Sequence, residues 1–470
     1  GTLSGGEMRR VRLSANLGSN LVDVCYVLDE PTVGLHPADV EMLTDALKAM
    51  RDRGNTVIVV EHDESLMRRA DYIVDIGPGA GRNGGNVVAA GTPEEIMANP
   101  ESLTGRALLG EFSTRAARAK KNSKDCDGGK VGIRGATLHN LNSVDFDATF
   151  GSLTGVCGPS GSGKSSLIMD SFVPALRGEP SEGRWKKVVG SLGGARRVVV
   201  VDASPIGRSP SSTPATAVGL LEPIRNLFAR TPEARMRGFT TSHFSYNSTK
   251  GRCPSCEGRG ATRVDMQFLA DLWLTCDDCD GKRYRPEVLE VRHRGYSVAD
   301  ILAMSVDEAA GVLEHQPAAM KILGTMQKVG LGYIALNQSS TTLSGGEAQR
   351  VKLAGELMRA SGAGRSVVIL DEPTTGLHAS DVERLIGVLL YIKERGDAVI
   401  VIEHNTDLLR ICDELVELGP MGGNGGGRII ATGTPAELVK NKDSITGPWL
   451  KPYQMKTKRA RKTTSSRGGA

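Results

Sequence analysis

The sequence predicts an α/β fold with two related lobes, the first incomplete, and a metal-binding insertion in the second. The prediction depends on an internal duplication, a single glycine-rich loop motif and two CxxC pairs. Three motifs recur in order: LSGGE at Leu3–Glu7 and Leu343–Glu347, a DEPT strand end within Tyr26–His36 and Val368–His378, and an EH pair within Val59–Asp63 and Val401–Asn405. The offset is 340 residues for the first motif and 342 for the others, so the chain contains a repeat.

The first repeat reads as the rear half of an α/β lobe. A continuous apolar run at Val24–Leu28 is typical of a buried parallel strand. A helix over about Ala38–Arg53 and a second strand at Thr56–Val60 follow. We therefore assign residues 1–110 to the C-terminal half of a first lobe and the polar residues 111–130 to a linker.

The second repeat is preceded by the only GxxxxGK[ST] motif, GPSGSGKS at Gly158–Ser165. A strand at about Leu153–Cys157 leads into it, and a helix over Ser166–Leu176 is expected after it. The equivalent loop of the first repeat is expected before Gly1, so we interpret the chain as the C-terminal portion of a longer protein.

Between Ser165 and Ser344 lie 178 residues, far more than one crossover connection needs, so an insertion is expected there. The predicted divisions of the second lobe are 131–219 for its front, 220–340 for the insertion, 341–450 for its rear and 451–470 for a basic tail. Such a tail is usually a solvated terminus and less often an arm that contacts DNA.

Composition limits the class of protein. The net charge of +4 is small for 470 residues, so affinity for nucleic acid would have to come from local basic patches. No apolar run approaches the roughly 20 residues of a membrane helix. Eight cysteines, four of them in CxxC pairs, favour a reducing cytoplasm and a metal site over a disulfide framework.

The GxxxxGKS segment is expected to bind the phosphates of ATP. Its glycines allow backbone N–H groups to point at phosphate oxygens, and the following helix adds the positive end of its dipole. Lys164 is expected to reach the β- and γ-phosphates, and the Ser165 hydroxyl to ligate Mg²⁺. The predicted nucleotide-binding residues here are Gly158, Pro159, Ser160, Gly161, Ser162, Gly163, Lys164, Ser165 and Ser166.

The strand ends supply the predicted catalytic groups. Asp371 ends an apolar run and is expected to hold Mg²⁺, while Glu372 is expected to orient or deprotonate the attacking water. His404, which follows the next strand, suits a sensor of the γ-phosphate. The first repeat offers the same set as Asp29, Glu30 and His62.

The LSGGE motifs place a serine and two glycines at a helix N-terminus, which also suits an anion. All the blocks named so far resemble ATP-binding cassette ATPases, and that resemblance implies that one nucleotide lies between the phosphate loop of one lobe and the LSGGE of the other. The loop at Gly158–Ser165 would face Leu3, Ser4, Gly5, Gly6 and Glu7, and Asp29, Glu30 and His62 would face Ser344, Gly345, Gly346 and Glu347.

One position departs from the cassette pattern. Where those ATPases usually carry a glutamine for Mg²⁺ and water, this chain reads VVVVDASPIG and has Ala203. Alanine can neither coordinate nor hydrogen-bond. We expect either that Asp202 or Ser204 substitutes or that hydrolysis is slow.

Cys253, Cys256, Cys276 and Cys279 form two CxxC pairs separated by 19 residues, the spacing of a structural zinc site. A redox-active pair or four incidental buried thiols are the alternatives. Basic residues and aromatics surround the pairs, which suits phosphate contact with base stacking, or merely solvated charge. They are Lys250, Arg252, Arg259, Arg263, Lys282, Arg283 and Arg285, with Phe239, Phe244, Tyr246 and Tyr284.

Long segments resemble one family in particular. SPIGRSP, IRNLFARTPEAR, GRCPSCEGRG, CDDCDGKRY and VGLGYIALNQSSTTLSGGEAQRVKLAGEL are similar to the UvrA family of excinuclease ABC proteins over nearly all of residues 1–445. The resemblance implies an ATPase of nucleotide excision repair that works as a homodimer, binds damaged DNA and loads UvrB. The UvrB-binding module of that family would lie outside this chain. A paralogue serving drug self-resistance and, less well supported, the ATP-binding component of a transporter are the competing interpretations.

Overall fold

The computed structural model describes residues 21–79, 81, 84–112, 129–190, 197–207, 211–264, 272–359 and 365–451. We call residues 21–112 lobe 1 and residues 129–451 lobe 2. The strands are β1 (Cys25–Asp29), β2 (Thr56–Val60), β3 (Ile73–Gly77), β4 (Asn86–Gly91), β5 (Lys130–Ala136), β6 (Val144–Thr149), β7 (Leu153–Cys157), β8 (Lys187–Val189), β9 (Arg197–Val201), β10 (Ala261–Val264), β11 (Leu272–Thr275), β12 (Ser366–Asp371), β13 (Ala398–Ile402), β14 (Glu414–Gly419) and β15 (Arg428–Gly433).

The helices lie between and after these strands. Lobe 1 has Pro37–Asp52, Glu64–Met67, Pro93–Ala98 and Leu103–Leu108. Lobe 2 has Lys164–Leu167, a π-helical turn Ile168–Phe172, Val173–Arg177, Pro214–Ala217, Leu221–Ala229, Pro232–Met236, Pro286–Leu289, Val298–Ala303, Val306–Val312, Pro317–Lys328, Gly345–Arg359, Ala379–Glu394, Thr406–Ile411 and Pro435–Leu438, with short 3₁₀ turns at Ser340–Thr342, Gly423–Gly425 and Gly447–Leu450.

Lobe 2 is organised around a six-stranded sheet in the order β15-β14-β7-β13-β12-β9. The strands β14, β7, β13, β12 and β9 run parallel, and β15 pairs with β14 in the antiparallel sense. Every residue of β7 and β13 is buried, as expected for central strands covered on both faces. Their carboxyl ends therefore deliver the phosphate loop and the EH pair to one edge of the sheet.

Two apolar layers cover this sheet. One face packs on the three-stranded sheet β6-β5-β8 and on the helix after the phosphate loop, through Ile133, Phe146, Phe172, Ile369 and Ile400. The other face packs on Gly345–Arg359, Ala379–Glu394 and the helices of the insertion. The predicted strand Leu153–Cys157 has those bounds, whereas the helix expected at 166–176 begins two residues earlier, at Lys164.

Lobe 1 repeats only part of this arrangement. β1 pairs with β2 in parallel and β3 with β4 in antiparallel, and these pairs form two separate two-stranded sheets. The prediction that Val24–Leu28 is a buried strand was wrong about burial. β1 is a strand, but its residues alternate between exposed and half-buried, because the helix Pro37–Asp52 covers one face only.

The two lobes touch along their repeated segments. The helix Ala379–Glu394 of lobe 2 packs on Leu103–Leu108 of lobe 1. The buried ring of Phe112 stands edge-on to His378, with centroids 6.1 Å apart. Residues 113–128, which make up most of the predicted linker, and the predicted tail at 452–470 lie outside the described residues. Within the described ranges, no helix is both long and apolar enough to cross a membrane.

Candidate nucleotide site at the lobe contact

The phosphate loop leaves the centre of the lobe 2 sheet and turns directly into a helix. Gly158 has φ +127°, and a Cβ there would lie 1.9 Å from the Leu418 carbonyl oxygen, so only glycine fits beside β14. The Lys164 ammonium donates to the carbonyls of Gly158 and Pro159, each at 3.0 Å. Burial lowers the pKa of Lys164 to about 8, against the opposing effect of Glu372. The Lys164 ammonium therefore lies inside the phosphate loop, where it is predicted to contact the β- and γ-phosphates.

The serines of the loop point in different directions. Ser165 is exposed at the first turn of the helix, as a metal ligand would require. The hydroxyl of Ser160 donates to the Gly34 carbonyl of lobe 1 at 2.8 Å. The buried Ser162 hydroxyl has no hydrogen-bond partner among the described residues. Ser166 shares a 3.3 Å contact with His139. The phosphate loop thus touches lobe 1 directly through Ser160.

Asp371, at the end of β12, and Glu372, the residue after it, lie close to Lys164 and are half-buried. Burial raises the pKa of Asp371 to about 6, assisted by Asp202, and raises the pKa of Glu372 to about 7, assisted by Glu403. Glu372 also has φ +47°, a conformation that a non-glycine residue rarely adopts. A high pKa and a strained backbone are common features of a catalytic carboxylate.

Lobe 1 closes on Glu372 through a glycine. A Cβ at Gly34 would lie 3.3 Å from a carboxylate oxygen of Glu372. The reciprocal contact is present as well, since a Cβ at Gly376 would lie 3.3 Å from a carboxylate oxygen of Glu30, whose φ is +43°. The His62 Nε2 lies 3.9 Å from Glu30. The repeat therefore places each predicted base against the glycine of the other lobe.

The glutamate of each EH pair has an organising role that the sequence did not make explicit. Glu403 accepts hydrogen bonds from the Thr374 N–H at 2.9 Å and hydroxyl at 2.5 Å, and from the His404 N–H at 2.7 Å. It thereby fixes the segment after Glu372 against the start of the His404 turn. Glu61 makes the same contacts with Thr32 and His62. The sequence signal for this role was the glutamate that precedes the histidine in both repeats.

The second LSGGE motif begins the helix Gly345–Arg359. Ser344 and Glu347 form reciprocal side-chain to backbone hydrogen bonds of 2.9 and 3.2 Å, which fix the start of this helix. Gly345 and Gly346 lie in its first turn. The first motif, Leu3–Glu7, lies outside the described residues. Its pairing with the phosphate loop therefore stays a prediction.

The surroundings of Ala203 bear on the missing glutamine. The Asp202 carboxylate accepts from the Lys352 ammonium at 2.5 Å and from the Ser204 hydroxyl at 2.5 Å, while Lys352 also contacts Ser204. Both groups that might have substituted are therefore bound to Lys352. Gln349, which sequence reasoning missed, donates to the carbonyls of Asp371 at 2.8 Å and Val201 at 3.2 Å. It ties the LSGGE helix to the strand end that carries the acidic pair.

The insertion brings its four CxxC cysteines together. All four Sγ atoms lie within 4.8 Å of one another and are buried, and the sulfurs of Cys256 and Cys279 are 3.6 Å apart. Tetrahedral Zn–S bonds of about 2.3 Å imply sulfur separations of about 3.8 Å, so the cluster fits zinc. The N–H groups of Gly260 and Arg283 point at two of the sulfurs, at 3.3 and 3.4 Å. Such donors stabilise thiolates.

The aromatic residues near this cluster do not form the expected stacking surface. Phe244, Tyr246 and Tyr284 are buried in the core of the insertion because they pack on each other and on its helices. Phe239 is partly buried and stacks on His243. Trp273, on the hairpin β10-β11, is exposed instead. The prediction that Phe244, Tyr246 and Tyr284 stack on bases was wrong, whereas for Phe239 it stays a prediction.

The basic residues around the cluster differ in how available they are. The Arg283 guanidinium is buried over the Tyr246 ring, 5.2 Å from its centroid. Arg259 pairs with Glu257 at 3.3 Å and Lys282 with Asp280 at 3.7 Å. Lys250 and Arg263 are exposed. Any contact with a polyanion would therefore depend on fewer of these cations than the sequence suggested.

The fold and the site together indicate the class of protein. Two repeated α/β lobes meet at a phosphate loop, and the DE strand ends of each lobe contact a glycine of the other, which is the architecture of ATP-binding cassette proteins. A chain from the model of ribosome-bound archaeal Pelota and ABCE1 shares this fold, with a TM-score of 0.53 and 16% identity over 94% of this chain and 60% of that chain. No family model matches the sequence.

Three UvrA proteins are similar to this chain in sequence or structure. UvrABC system protein A of Staphylococcus epidermidis is 49% identical over 457 residues, 96% of this chain and 48% of that protein. The same protein of Staphylococcus aureus is 48% identical over 456 residues, again 96% of this chain and 48% of that protein. UvrA2 from Deinococcus radiodurans matches with a TM-score of 0.86 and 44% identity, over 96% of this chain and 54% of that chain.

The chain is therefore related to the UvrA proteins along nearly its whole length. It spans about half the length of the curated relatives that it matches.

Proposed function

We propose that this chain binds and hydrolyses ATP at the lobe contact and couples the ATPase cycle to binding of damaged DNA, as part of nucleotide excision repair. The observation that carries the proposal is the convergence of Lys164, Asp371 and Glu372 in lobe 2 with Gly34 of lobe 1. Because the site is assembled from both lobes, its geometry changes when the lobes separate. Nucleotide state and lobe geometry are then linked.

In this proposal each group has a distinct task. Lys164 and the loop N–H groups hold the phosphates, and Ser165 and Asp371 would ligate Mg²⁺, which neutralises phosphate charge when bound. Glu372 accepts a proton from the attacking water. The water oxygen bonds to the γ-phosphorus while the bond between that phosphorus and the ADP oxygen breaks. His404 contacts the γ-phosphate, and Leu3–Glu7, which precedes lobe 1, is proposed to complete the site.

The four-cysteine cluster is proposed to hold structural zinc. Four protein ligands leave no open coordination position, so the metal stabilises the turns that carry Lys250, Arg263 and the hairpin β10-β11. That surface is proposed to contact the DNA backbone. A protein that reads how easily DNA deforms can detect chemically unrelated lesions without base-specific contacts. Homodimer formation and transfer of DNA to UvrB are proposed on family resemblance.

The test combines ATP turnover with metal analysis on one sample. We expect about one zinc per chain, and ATP turnover that changes more with lesion-bearing duplex than with undamaged duplex. A Lys164→Ala variant controls for contaminating ATPases, and Cys256→Ser should lose zinc and the response to DNA while retaining basal turnover. Turnover unaffected by Lys164→Ala would overturn the ATPase assignment. Zinc and turnover without any response to DNA would overturn the DNA assignment.

A second candidate function is supported by Ala203. A paralogue that protects against DNA-binding drugs needs tight binding more than fast cycling, and the missing glutamine favours slow hydrolysis. The two functions separate by lesion spectrum. Response to intercalated drug adducts alone favours the paralogue, and response to unrelated lesions favours general repair.

A further inference from the structure

A buried chain of hydrogen bonds crosses from lobe 1 to lobe 2 at His36. This histidine is 1% exposed and precedes the helix Pro37–Asp52. Its Nδ1 accepts from the Ala38 N–H at 3.2 Å, so the ring proton of the neutral imidazole lies on Nε2. Nε2 lies 3.1 Å from the Thr446 hydroxyl of lobe 2 and donates to it.

The chain continues to a carboxylate buried beneath the phosphate loop. The Thr446 hydroxyl donates to Glu417 Oε1 at 2.6 Å, as does its N–H at 2.6 Å, and the Ser444 hydroxyl donates to Oε2 at 2.5 Å. Glu417 is fully buried on β14, in register with Cys157, the residue before the loop. Each bond therefore has a fixed direction, from His36 through Thr446 to Glu417.

The same histidine lies beside the predicted hydrolytic groups. Its ring stands edge-on to that of His404, with centroids 6.1 Å apart and planes at 80°. Two residues earlier, the Gly34 carbonyl accepts from the Ser160 hydroxyl, and a Cβ at Gly34 would lie 3.3 Å from the Glu372 carboxylate. Burial, with a smaller effect of Lys164, lowers the pKa of His36 to about 4, so the ring stays neutral and serves as a fixed bridge.

The repeat contains the same parts without the crossing bond. Asp75 accepts from the hydroxyls of Ser102 at 2.5 Å and Thr104 at 2.7 Å, at the 342-residue offset from Glu417, Ser444 and Thr446. His378 is the counterpart of His36. Its buried Nε2 has no hydrogen-bond partner among the described residues, and its ring packs on Phe112. The bond between lobes is thus made on the side of the described phosphate loop.

We propose that His36 is a positioning residue for ATP hydrolysis. Through Thr446 and Glu417 it holds the lobe 1 segment against the phosphate loop and orients the ring of His404. This inference rests on the proposed ATPase activity. We expect the contact between His36 and Thr446 to affect the rate of the chemical step rather than nucleotide affinity, because His36 acts through neighbouring groups.

The test removes one hydroxyl with little change of shape. In the full chain, Thr446→Val should lower kcat about tenfold with KM for ATP changed less than about twofold. The reason is that His404, no longer held in orientation, makes a weaker contact in the transition state. Thr446→Ser, which keeps the hydroxyl, should restore kcat to within about threefold of the wild type. The matched control is Thr104→Val, which removes the equivalent hydroxyl in lobe 1 and should change kcat less than about twofold.

A double-mutant cycle with His404→Ala, followed by single-turnover kinetics, separates positioning from general damage. The Thr446→Val effect should largely disappear in the His404→Ala background. Equal losses from Thr446→Val and Thr104→Val, failure of Thr446→Ser to restore kcat, or an undiminished effect in the His404→Ala background would each overturn the inference. Absence of turnover in the wild-type chain would instead overturn the proposed ATPase function itself.

Discussion

The two lobes use the same strand register and differ in what covers their sheets. Val27 pairs with Ile58 in lobe 1, and Ile369 pairs with Ile400 at the equivalent positions of lobe 2. Val27 is 68% exposed and Ile58 49% exposed, whereas Ile369 and Ile400 are fully buried. Equivalent apolar residues therefore occupy opposite environments in one chain.

The difference follows from the strands and helices that cover each pair of strands. In lobe 2, β7 lies between β13 and β14, and β5, β6 and β8 with the helix after the loop cover the sheet. Among the described residues, lobe 1 has no strand between β2 and β3 and no such cover. The rear half of a lobe thus forms its strands and places its acidic residues, but burial of the sheet depends on the front half.

The largest contrast is expected between the two predicted bases. Glu372→Gln should lower ATP turnover by about 10²–10⁴-fold, the range for loss of a general base. Glu30→Gln should lower it less than about threefold, because the phosphate loop described in this chain faces Glu372. Steady-state ATPase assays on both variants measure the contrast, with unchanged ATP affinity as the control. Comparable losses would mean that Glu30 serves a second working site, for example one completed by another copy.

The next contrast concerns stability. Ile400→Ala removes buried methyl groups and should lower the free energy of unfolding of lobe 2 by about 2–5 kcal/mol, whereas Ile58→Ala at the exposed position should cost less than about 1 kcal/mol. Chemical denaturation followed by far-UV circular dichroism measures both. A large cost at Ile58 would contradict the comparison by showing that the lobe 1 face is covered in solution.

Much of the architecture was predictable because the motifs sit at strand ends. The runs at Thr56–Val60 and Leu153–Cys157 gave strands with those bounds, since a short, continuously apolar run favours a parallel strand whether or not it is buried. The four cysteines were brought together as their spacing indicated. The burial of β1 was not predictable in this way, because an apolar run does not reveal whether a covering layer is present.

Contacts between the lobes also could not be predicted from the sequence. Gly34 and Gly376 could be recognised as parts of a repeat, but their approach to the glutamate of the opposite lobe depends on how the lobes dock. Phe244 and Tyr284 were misjudged for a related reason. Aromatics near cations suggest a binding surface, whereas these two fill the core of the insertion. Composition does not distinguish the two environments.

A smaller effect is expected at Ala203. Because Lys352 engages both Asp202 and Ser204, neither group is well placed to substitute for the missing amide. Ala203→Gln should therefore raise kcat by about three- to tenfold, the worth of one well-placed hydrogen bond in the transition state. Ala203→Leu, of similar bulk but without an amide, is the control. Unchanged turnover in the Gln variant would show that hydrolysis does not depend on this position.

The smallest effect concerns a carboxylate at the contact between lobes. Burial, assisted by Asp407 of lobe 2, raises the pKa of Glu64 to about 7 from an ordinary value of 4.5. Its ionised form is therefore disfavoured in the folded protein, and the stability associated with the protonated form is lost as pH rises between these two values. Glu64→Gln cannot ionise and should gain stability relative to the wild type between pH 5 and pH 8.

We expect that gain to be on the order of 1 kcal/mol, because the Glu64 side chain is 32% exposed and its nearby Arg68 offsets part of the cost. Denaturation curves at the two pH values measure it, with the exposed Glu94→Gln as the matched control. If both variants respond alike to pH, the docked lobes do not perturb Glu64, and the electrostatic effect of Asp407 on Glu64 is weaker in solution than the structure implies. A response confined to Glu64→Gln would show that proton uptake at this position is linked to lobe docking.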